Sequence, residues 1–274
     1  MTSSRDLRRR CFFCGGQPLV KSHVLDRRWR QIGHRGSLAS PGRVWEDVRV
    51  GDKITRRSTV ETGGAAQPPG ALVDDRARVA CPACLGGWMT TLEDTATPHL
   101  ALLAQGTPHD ITPDAAVLVT AWLAKTAILF EQTMSPDIRP SVSPTQRTAL
   151  VEGRLPEYFE TWGYPLKDAA SSPDMHAFSR RAAHADTMRP VSPRFEFGMV
   201  SIHLYSTLFV CVHAVDPMVM SFLGQPVQTV LGMRSHMRTS RPEAWPSSRG
   251  RPLTRDQANS LPNDFLRACE SLLR

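Results

Sequence analysis

Two short cysteine pairs constrain this chain more than any other feature of its sequence. Cys11 and Cys14 are separated by two residues, and Cys81 and Cys84 repeat that spacing after a gap of 66 residues. The spacing lets both thiolates of a pair bind one metal ion, and two pairs complete the tetrahedral thiolate shell that structural zinc prefers. The alternative is a set of unrelated buried or reactive thiols. We therefore expect one structural Zn²⁺ held by all four cysteines.

The composition indicates a globular protein that keeps its cysteines reduced. With 274 residues, 41% of them hydrophobic, the chain can bury a sizeable core. No apolar run approaches the roughly 20 residues that cross a bilayer, and the basic N-terminus is not followed by the apolar stretch of a signal peptide. We expect a cytoplasmic location and no membrane, with Cys211 and Cys269 as buried thiols.

Positive charge is concentrated around the first cysteine pair. The net charge is +7, and residues 1–57 contain 14 Lys or Arg against 5 Asp or Glu, whereas the remainder contains 19 against 21. A basic face beside a metal-bound module predicts a polyanionic partner, and DNA is the partner that we expect. Lys21, Arg27, Arg28 and Arg30 are the predicted phosphate contacts. The alternative is an ordinary solvated basic surface.

The order of predicted elements indicates an α+β fold. We expect a basic arm over residues 1–10, a zinc-binding module over 11–98, and a C-terminal domain over 99–274 that is helical and then α+β. Predicted strands lie at 44–50, 53–60, 76–80 and 195–215. Predicted helices lie at 25–32, 86–95, 114–132, 145–160, 172–188 and 264–273. The helix over 114–132 is apolar on nearly all sides, which predicts a buried central helix.

His23 follows Cys14 by nine residues, at the end of a predicted strand, and the second cysteine pair continues into Gly-Trp-Met. This succession resembles the HNH endonuclease family, in particular its bacterial and phage members with Gly-Trp-Met after the second Cys-x-x-Cys. The resemblance covers residues 11–95, about a third of the chain. The matching positions are Cys11, Cys14, His23, Trp29, Cys81, Cys84, Gly87, Trp88, Met89, Leu92 and Glu93.

The resemblance implies a zinc-stapled ββα-metal (HNH-like) module followed by a helical and strand-containing C-terminal region. It also implies hydrolysis of phosphodiester bonds in DNA with a catalytic divalent cation, Mg²⁺ or Mn²⁺. His23 would be the catalytic base that takes a proton from the attacking water. The cation would neutralise charge that develops on the phosphate.

The sequence departs from the family pattern at two positions beside the expected active site. Ser22 precedes His23 where family members carry an acidic residue, and Leu85 follows Cys84 where members with Gly-Trp-Met carry Asn. A leucine side chain cannot bind a hard cation. The residues that remain as replacement ligands are Asp26, His34, Asp47, Asp74, Asp75 and Glu93.

Three functions therefore stay open at the level of sequence. The first is an HNH-type nuclease, and the second is a catalytically degenerate HNH-like scaffold that binds nucleic acid or a protein partner without cleavage. The third is an enzyme whose active site lies in the C-terminal part, although no motif there supports it. We expect Glu93 to be a structural partner or a surface charge, and we expect His203 and His213 to be core or edge residues of the strand region.

Overall fold

The computed structural model describes residues 10–25, 29, 43–50, 53–60, 76–107, 109–133, 142–167, 174–182, 195–223, 243–245 and 252–272. Its helices and antiparallel sheets confirm the predicted α+β class. Nearly all of the predicted basic arm lies outside these residues. So does the predicted helix over 25–32, except for residues 25 and 29.

Two strands and a helix surround the cysteine pairs. Strand β1 (Val20–His23) pairs antiparallel with β4 (Arg76–Ala80), so that His23 lies opposite Arg76. The chain then forms a helical turn (Pro82–Cys84), a π-helical turn (Leu85–Met89) and helix α1 (Thr90–Ala104). This arrangement places the end of β1 beside the helical segment that follows the second cysteine pair.

The strands predicted between β1 and β4 are confirmed. β2 (Arg43–Val50) and β3 (Lys53–Val60) form their own two-stranded antiparallel sheet. Two short strands, β5 (His109–Ile111) and β10 (Glu243–Trp245), form another. The sheet of β2 and β3 joins neighbouring parts of the chain, whereas the sheet of β5 and β10 joins residues far apart in it.

Helix α2 (Pro113–Glu131) is the predicted central helix, and its start is specified locally. The Thr112 side chain accepts a hydrogen bond from the Ala115 backbone N–H at 3.2 Å, which caps the first turn. Proline and aspartate at the first two helical positions suit that turn. Among the described helices, α2 alone is long and apolar enough to cross a membrane, and most of it is buried within the protein. Burial of this kind is equally typical of a core helix.

A four-stranded antiparallel sheet forms the C-terminal core. Its strands are β6 (Phe159–Pro165), β7 (Asp174–Ala182), β8 (Phe195–Leu204) and β9 (Thr207–Ala214), in the order β6-β9-β8-β7. Helices α3 (Pro144–Val151) and α4 (Arg255–Leu272) complete the described elements. The strand prediction over 195–215 is confirmed as two strands joined by a tight turn.

Both faces of this sheet are covered at β9, which explains the nearly continuous apolar sequence of that strand. On β9, Phe209 and Cys211 belong to the buried cluster that contains α2. Val210 and Val212 belong to a second cluster, together with Phe265 of α4. Alternate residues of a strand point to opposite faces, so a sheet covered on both sides needs apolar residues at successive positions.

Two predicted helices are wrong in the structure. The helix over 145–160 ends at Val151, because Gly153 adopts a left-handed backbone (φ 72°) and strand β6 begins at Phe159. The helix predicted over 172–188 is instead, in its described part, the edge strand β7 (Asp174–Ala182), which pairs with β8 along that range. Pairing with a strand that lies distant in sequence has outweighed the polar local pattern.

One buried cluster extends from the cysteine pairs through α1 and α2 into the sheet. The Tyr205 hydroxyl, at the turn between β8 and β9, donates a hydrogen bond to the Trp29 carbonyl. The Thr207 hydroxyl donates to the Leu103 carbonyl at 2.5 Å. α1 continues past residue 98, and the division of the chain at that point stays a prediction.

Candidate functional site

The four cysteines come together as the sequence predicts. Their sulfur atoms all lie within 4.8 Å of one another. The Sγ atoms of Cys11 and Cys84 are 3.7 Å apart, and those of Cys14 and Cys81 are 3.5 Å apart. A tetrahedral ion with Zn–S bonds of about 2.3 Å requires sulfur–sulfur distances of about 3.8 Å. The cluster therefore fits a structural metal ion such as zinc.

The turn at the first cysteine pair depends on its two glycines. Gly15 has a positive φ of 75°, and its N–H donates to the Cys11 carbonyl at 2.8 Å. The Gly16 N–H donates to the Cys14 sulfur at 3.4 Å. A Cβ added at Gly16 would lie 3.3 Å from the Cys14 Sγ and 3.5 Å from the Cys81 Sγ. The backbone thus closes directly over the sulfur cluster, where a side chain would crowd it.

The cluster also links separate elements. The Phe12 N–H donates to the Val79 carbonyl of β4 at 2.8 Å. The Arg147 guanidinium of α3 donates to the Phe12 carbonyl at 2.7 Å and lies 4.8 Å from the Phe12 ring centre. Because these contacts join β4 and α3 to the first cysteine pair, the metal centre is anchored on several sides.

The thiols of the cluster differ in their ease of ionisation. Burial raises the pKa of the Cys11 thiol, but hydrogen bonds from the backbone N–H groups of Cys14, Cys81 and Phe13 outweigh it and bring this pKa to about 7. Burial raises the pKa of the Cys84 thiol well above its usual range. Four thiolates this close together repel one another unless a cation lies between them. The donor set therefore suits a dication that binds as the thiols lose their protons.

A cavity of about 330 Å³ lies beside this centre, between β1, the helical segment and α2. His23, the last residue of β1, is half-buried and lines the cavity, and Lys21 lines it from an exposed position. Leu85 lines it from the residue directly after Cys84. The predicted base and the helical segment after the second cysteine pair thus share one cavity. Arg27, Arg28 and Arg30, the other predicted phosphate contacts, lie outside the described residues.

A buried ion pair also lines the cavity. Lys125 of α2 forms a salt bridge with one oxygen of the Glu93 carboxylate. The other oxygen accepts a hydrogen bond from the Trp122 indole N–H at 2.7 Å. The Lys125 ammonium also lies 5.2 Å from the centre of the Trp122 ring, within the range of a cation–π contact. Glu93 is therefore the structural partner that the sequence predicts.

The sequence marks Lys125 as a conspicuous charge of the central helix that could pair with another element, but it assigns neither Lys125 nor Trp122 to this site. The available signal was a single lysine in the middle of an apolar helix, because a buried lysine requires a partner for its charge. Trp122 and Lys125 are three residues apart and therefore lie on one face of α2. The identity of the partner, 32 residues earlier at Glu93, cannot be read from that signal.

The described lining does not suit the catalytic cation that the family resemblance implies. Mg²⁺ and Mn²⁺ require oxygen or imidazole ligands, and Ser22 and Leu85 stand where the family carries such groups. Both oxygens of Glu93 already accept hydrogen bonds, and the neighbouring ammonium repels a cation. Of the other candidate ligands, Asp26, His34, Asp74 and Asp75 lie outside the described residues, as does the side chain of Asp47.

The predicted core histidines, His203 and His213, do not line this cavity. His213 of β9 is fully buried, and its Nε2 lies 2.8 and 2.9 Å from the two oxygens of the Glu131 carboxylate. Its ring stacks on Phe159 at 4.5 Å between ring centres. His203 is buried in β8. Burial raises the pKa of Cys211, in the same region, well above its usual value.

Comparison of the chain with protein-family models, with curated proteins and with solved structures finds no match. The interpretation of the metal centre and its cavity therefore rests on their own geometry and chemistry.

Proposed function

We propose that this chain is an HNH-type endonuclease that hydrolyses phosphodiester bonds in DNA. The observation that carries the proposal is the position of His23. It ends a strand that pairs with β4, and it lines a cavity that Leu85, the residue after the second cysteine pair, also lines. A half-buried imidazole beside a cavity that also holds lysines is suited to accept a proton next to a bound phosphate.

Zinc has a structural role in this proposal. A shell of four thiolates leaves no open position for water, so a zinc ion at Cys11, Cys14, Cys81 and Cys84 performs no hydrolysis itself. It ties the turn before β1 to the end of β4. That connection fixes the end of β1, and with it His23, against the helical segment.

The reaction assigns one chemical task to His23. Neutral His23 takes a proton from water while the water oxygen forms a bond to phosphorus, and the bond from phosphorus to the leaving sugar oxygen breaks. The leaving oxygen receives a proton from solvent. A divalent cation of the kind that the resemblance implies would neutralise charge on the phosphate. Since the described lining does not suit that ion, no step passes through it.

A specific observation favours a second function, binding without cleavage. Ser22 and Leu85 line the cavity at the two positions that depart from the family pattern, and Glu93 is engaged by Lys125. A protein with this lining and an intact metal centre retains a basic surface for nucleic acid, or a platform for a protein partner. It would then be a zinc-stapled scaffold rather than an enzyme.

Plasmid nicking separates the two functions. Purified zinc-loaded protein is incubated with supercoiled DNA, with no added divalent ion or with Mg²⁺ or Mn²⁺, beside His23→Ala. The matched control is His99→Ala in α1, a half-buried histidine outside the cavity lining. A nuclease loses nicking by about 100-fold or more in His23→Ala only, since general base catalysis contributes a factor of that order. Absence of nicking in every condition, from protein that contains one zinc and binds DNA, supports the scaffold instead.

A further inference from the structure

The charge balance of the cavity favours an anion as its ligand. Its described lining contains three basic side chains, Lys21, His23 and Lys125, and a single carboxylate, Glu93. The carboxylate and one lysine neutralise each other in a salt bridge. The ammonium of Lys21 therefore gives the remaining described lining a positive bias. The volume of about 330 Å³ lies near the lower end of the range for ligand pockets, about 300–1,000 Å³.

Lys125 has hydrogen-bonding capacity that its described surroundings do not use. An ammonium group carries three N–H donors. Within the residues that the structure describes, it donates one hydrogen bond, to Glu93, and it also lies over the Trp122 ring. The Lys125 side chain is 3% exposed, so bulk water does not readily satisfy the other donors. A buried cation that lines a cavity and keeps free donors calls for a ligand with acceptor oxygens.

The Glu93 carboxylate is engaged by two protein donors, Lys125 and Trp122, and a ligand can therefore occupy the cavity beside it. One of its oxygens binds the ammonium and the other is fixed by the Trp122 indole, so the carboxylate holds Lys125 in place. Because the carboxylate is held between two donors, its orientation is set before any ligand enters. Preorganised charge of this kind acts most strongly on a ligand in a site from which water is largely excluded.

We propose that the cavity binds a phosphate group directly through the Lys125 ammonium, with Glu93 as the residue that positions Lys125. The ammonium then neutralises phosphate charge in place of the divalent cation that the resemblance implies. The identity of the ligand as a DNA phosphodiester rests on the proposed function. Binding of a phosphate can nevertheless be measured without cleavage. In the hydrolytic reaction, Lys125 would donate to a non-bridging phosphate oxygen while His23 accepts the proton of the attacking water.

Calorimetric titration with thymidine 5′-monophosphate tests this inference in zinc-loaded full-length protein without added divalent ions. The variant Lys125→Met/Glu93→Gln replaces the charged pair by a neutral pair of similar volume and keeps an acceptor for Trp122. Its affinity should fall about tenfold or more, the effect of losing one charge-assisted hydrogen bond. Lys167→Met removes the same charge from an exposed position outside the cavity lining, and its affinity should match the wild type.

The single variant Glu93→Gln separates a phosphate site from a cation site. The amide oxygen that remains in this variant can still accept from Lys125 and hold it in place, but the compensating negative charge is gone. In a phosphate site, nucleotide affinity should therefore rise or stay unchanged. In a divalent-cation site, the same change removes a ligand and weakens Mn²⁺ binding. Nucleotide binding that requires Mn²⁺, or that is weakened by Glu93→Gln, or that survives unchanged in the double variant, overturns the inference. So does an absence of nucleotide binding under all conditions.

Nicking measured on the same variants distinguishes this inference from the proposed function. If nicking requires Mn²⁺ and Glu93→Gln abolishes it, the proposed nuclease function stands. The proposed contact between Lys125 and the phosphate is then overturned. Nucleotide binding that the double variant loses, in a protein that nicks no DNA, supports the phosphate site and contradicts the nuclease.

Discussion

Two buried acid–base pairs extend from α2 in different directions, and only one of them has been shown to border a cavity. Lys125 pairs with Glu93 of α1, and Glu131 pairs with His213 of β9. The two α2 residues are six positions apart, which places them about 120° apart around the helix axis. The first pair lines the cavity beside His23, whereas both side chains of the second have no exposed surface.

The comparison shows that burial of charge alone does not identify a functional site. His213 Nε2 lies within hydrogen-bond distance of both Glu131 oxygens, and the His213 ring stacks on Phe159. The buried Nδ1 of His213 has no hydrogen-bond partner among the described residues, and the pair has no exposed surface. Lys125 has donors left over and a space beside it. We infer that the inner pair, Glu131 with His213, stabilises the contact between α2 and the sheet. The outer pair, Lys125 with Glu93, serves ligand binding.

The largest expected effect concerns the metal centre that supports the outer pair. Cys84→Ser, or removal of zinc by a chelator, should unfold the region from β1 to α1, because binding of structural zinc contributes about 10–16 kcal/mol in small zinc-binding domains. Hydrogen exchange should show loss of protection at Val20–His23 and Arg76–Ala80 before loss in β8 and β9. Equal protection of β1 and β4 with and without the metal would contradict the structural role of the cluster.

The next effect tests the inner pair. His213→Leu removes the base and leaves the Glu131 carboxylate buried without its partner, which should cost about 3–5 kcal/mol of unfolding free energy. Urea denaturation measures this cost. Binding of thymidine 5′-monophosphate to the folded variant should match the wild type. A change in nucleotide affinity without a loss of stability would place the inner pair in the ligand site and break the comparison.

A smaller loss of stability is expected at the outer pair. Glu93→Gln keeps an acceptor for the Trp122 indole and removes the negative charge beside the Lys125 ammonium. We expect a cost of about 1–3 kcal/mol, the range for a lost hydrogen bond to a charged group. Urea denaturation of Glu93→Gln and His213→Leu under identical conditions gives the direct ranking. A larger cost for Glu93→Gln would show that the outer pair is the structural one.

The smallest effect is a dependence on pH within the sheet. Burial raises the pKa of Tyr164 in β6 well above its usual range. Because the phenol of the folded protein keeps its proton longer than that of the unfolded chain, stability is fully present below pH of about 10 and falls as the pH rises further, by up to about 1.4 kcal/mol per unit. Tyr164→Phe should lose less stability between pH 10 and 11 than the wild type. Identical slopes would contradict this effect of burial.

The sequence specifies those parts of the molecule whose determinants are local. The spacing of the cysteine pairs predicts the sulfur cluster, and the Thr-Pro-Asp start predicts the first turn of α2. Continuous apolar sequence predicts β8 and β9, because each lies inside a sheet covered on both faces. In each case neighbouring residues carry the information.

Features that depend on distant partners could not be predicted. β7 is a strand because β8 lies beside it, although its own sequence is mixed and polar. The salt bridge of Lys125 with Glu93 depends on how α1 packs against α2, and sequence spacing does not encode that packing. The resemblance predicted His23 as a base, but it assigned no role to Lys125 of α2, which lines the same cavity, or to Trp122, which donates to Glu93.

The most direct test of the account compares the two histidines of the two regions in one DNA-nicking assay. His23→Ala and His213→Leu are assayed beside the wild type, each with one bound zinc and at a temperature at which each is folded. The account predicts that His23→Ala loses nicking by about 100-fold or more, as for loss of a general base, and that folded His213→Leu retains it. Equal nicking by His23→Ala and the wild type, or no nicking by zinc-loaded wild-type protein, would contradict the assignment of hydrolysis to the cavity beside His23.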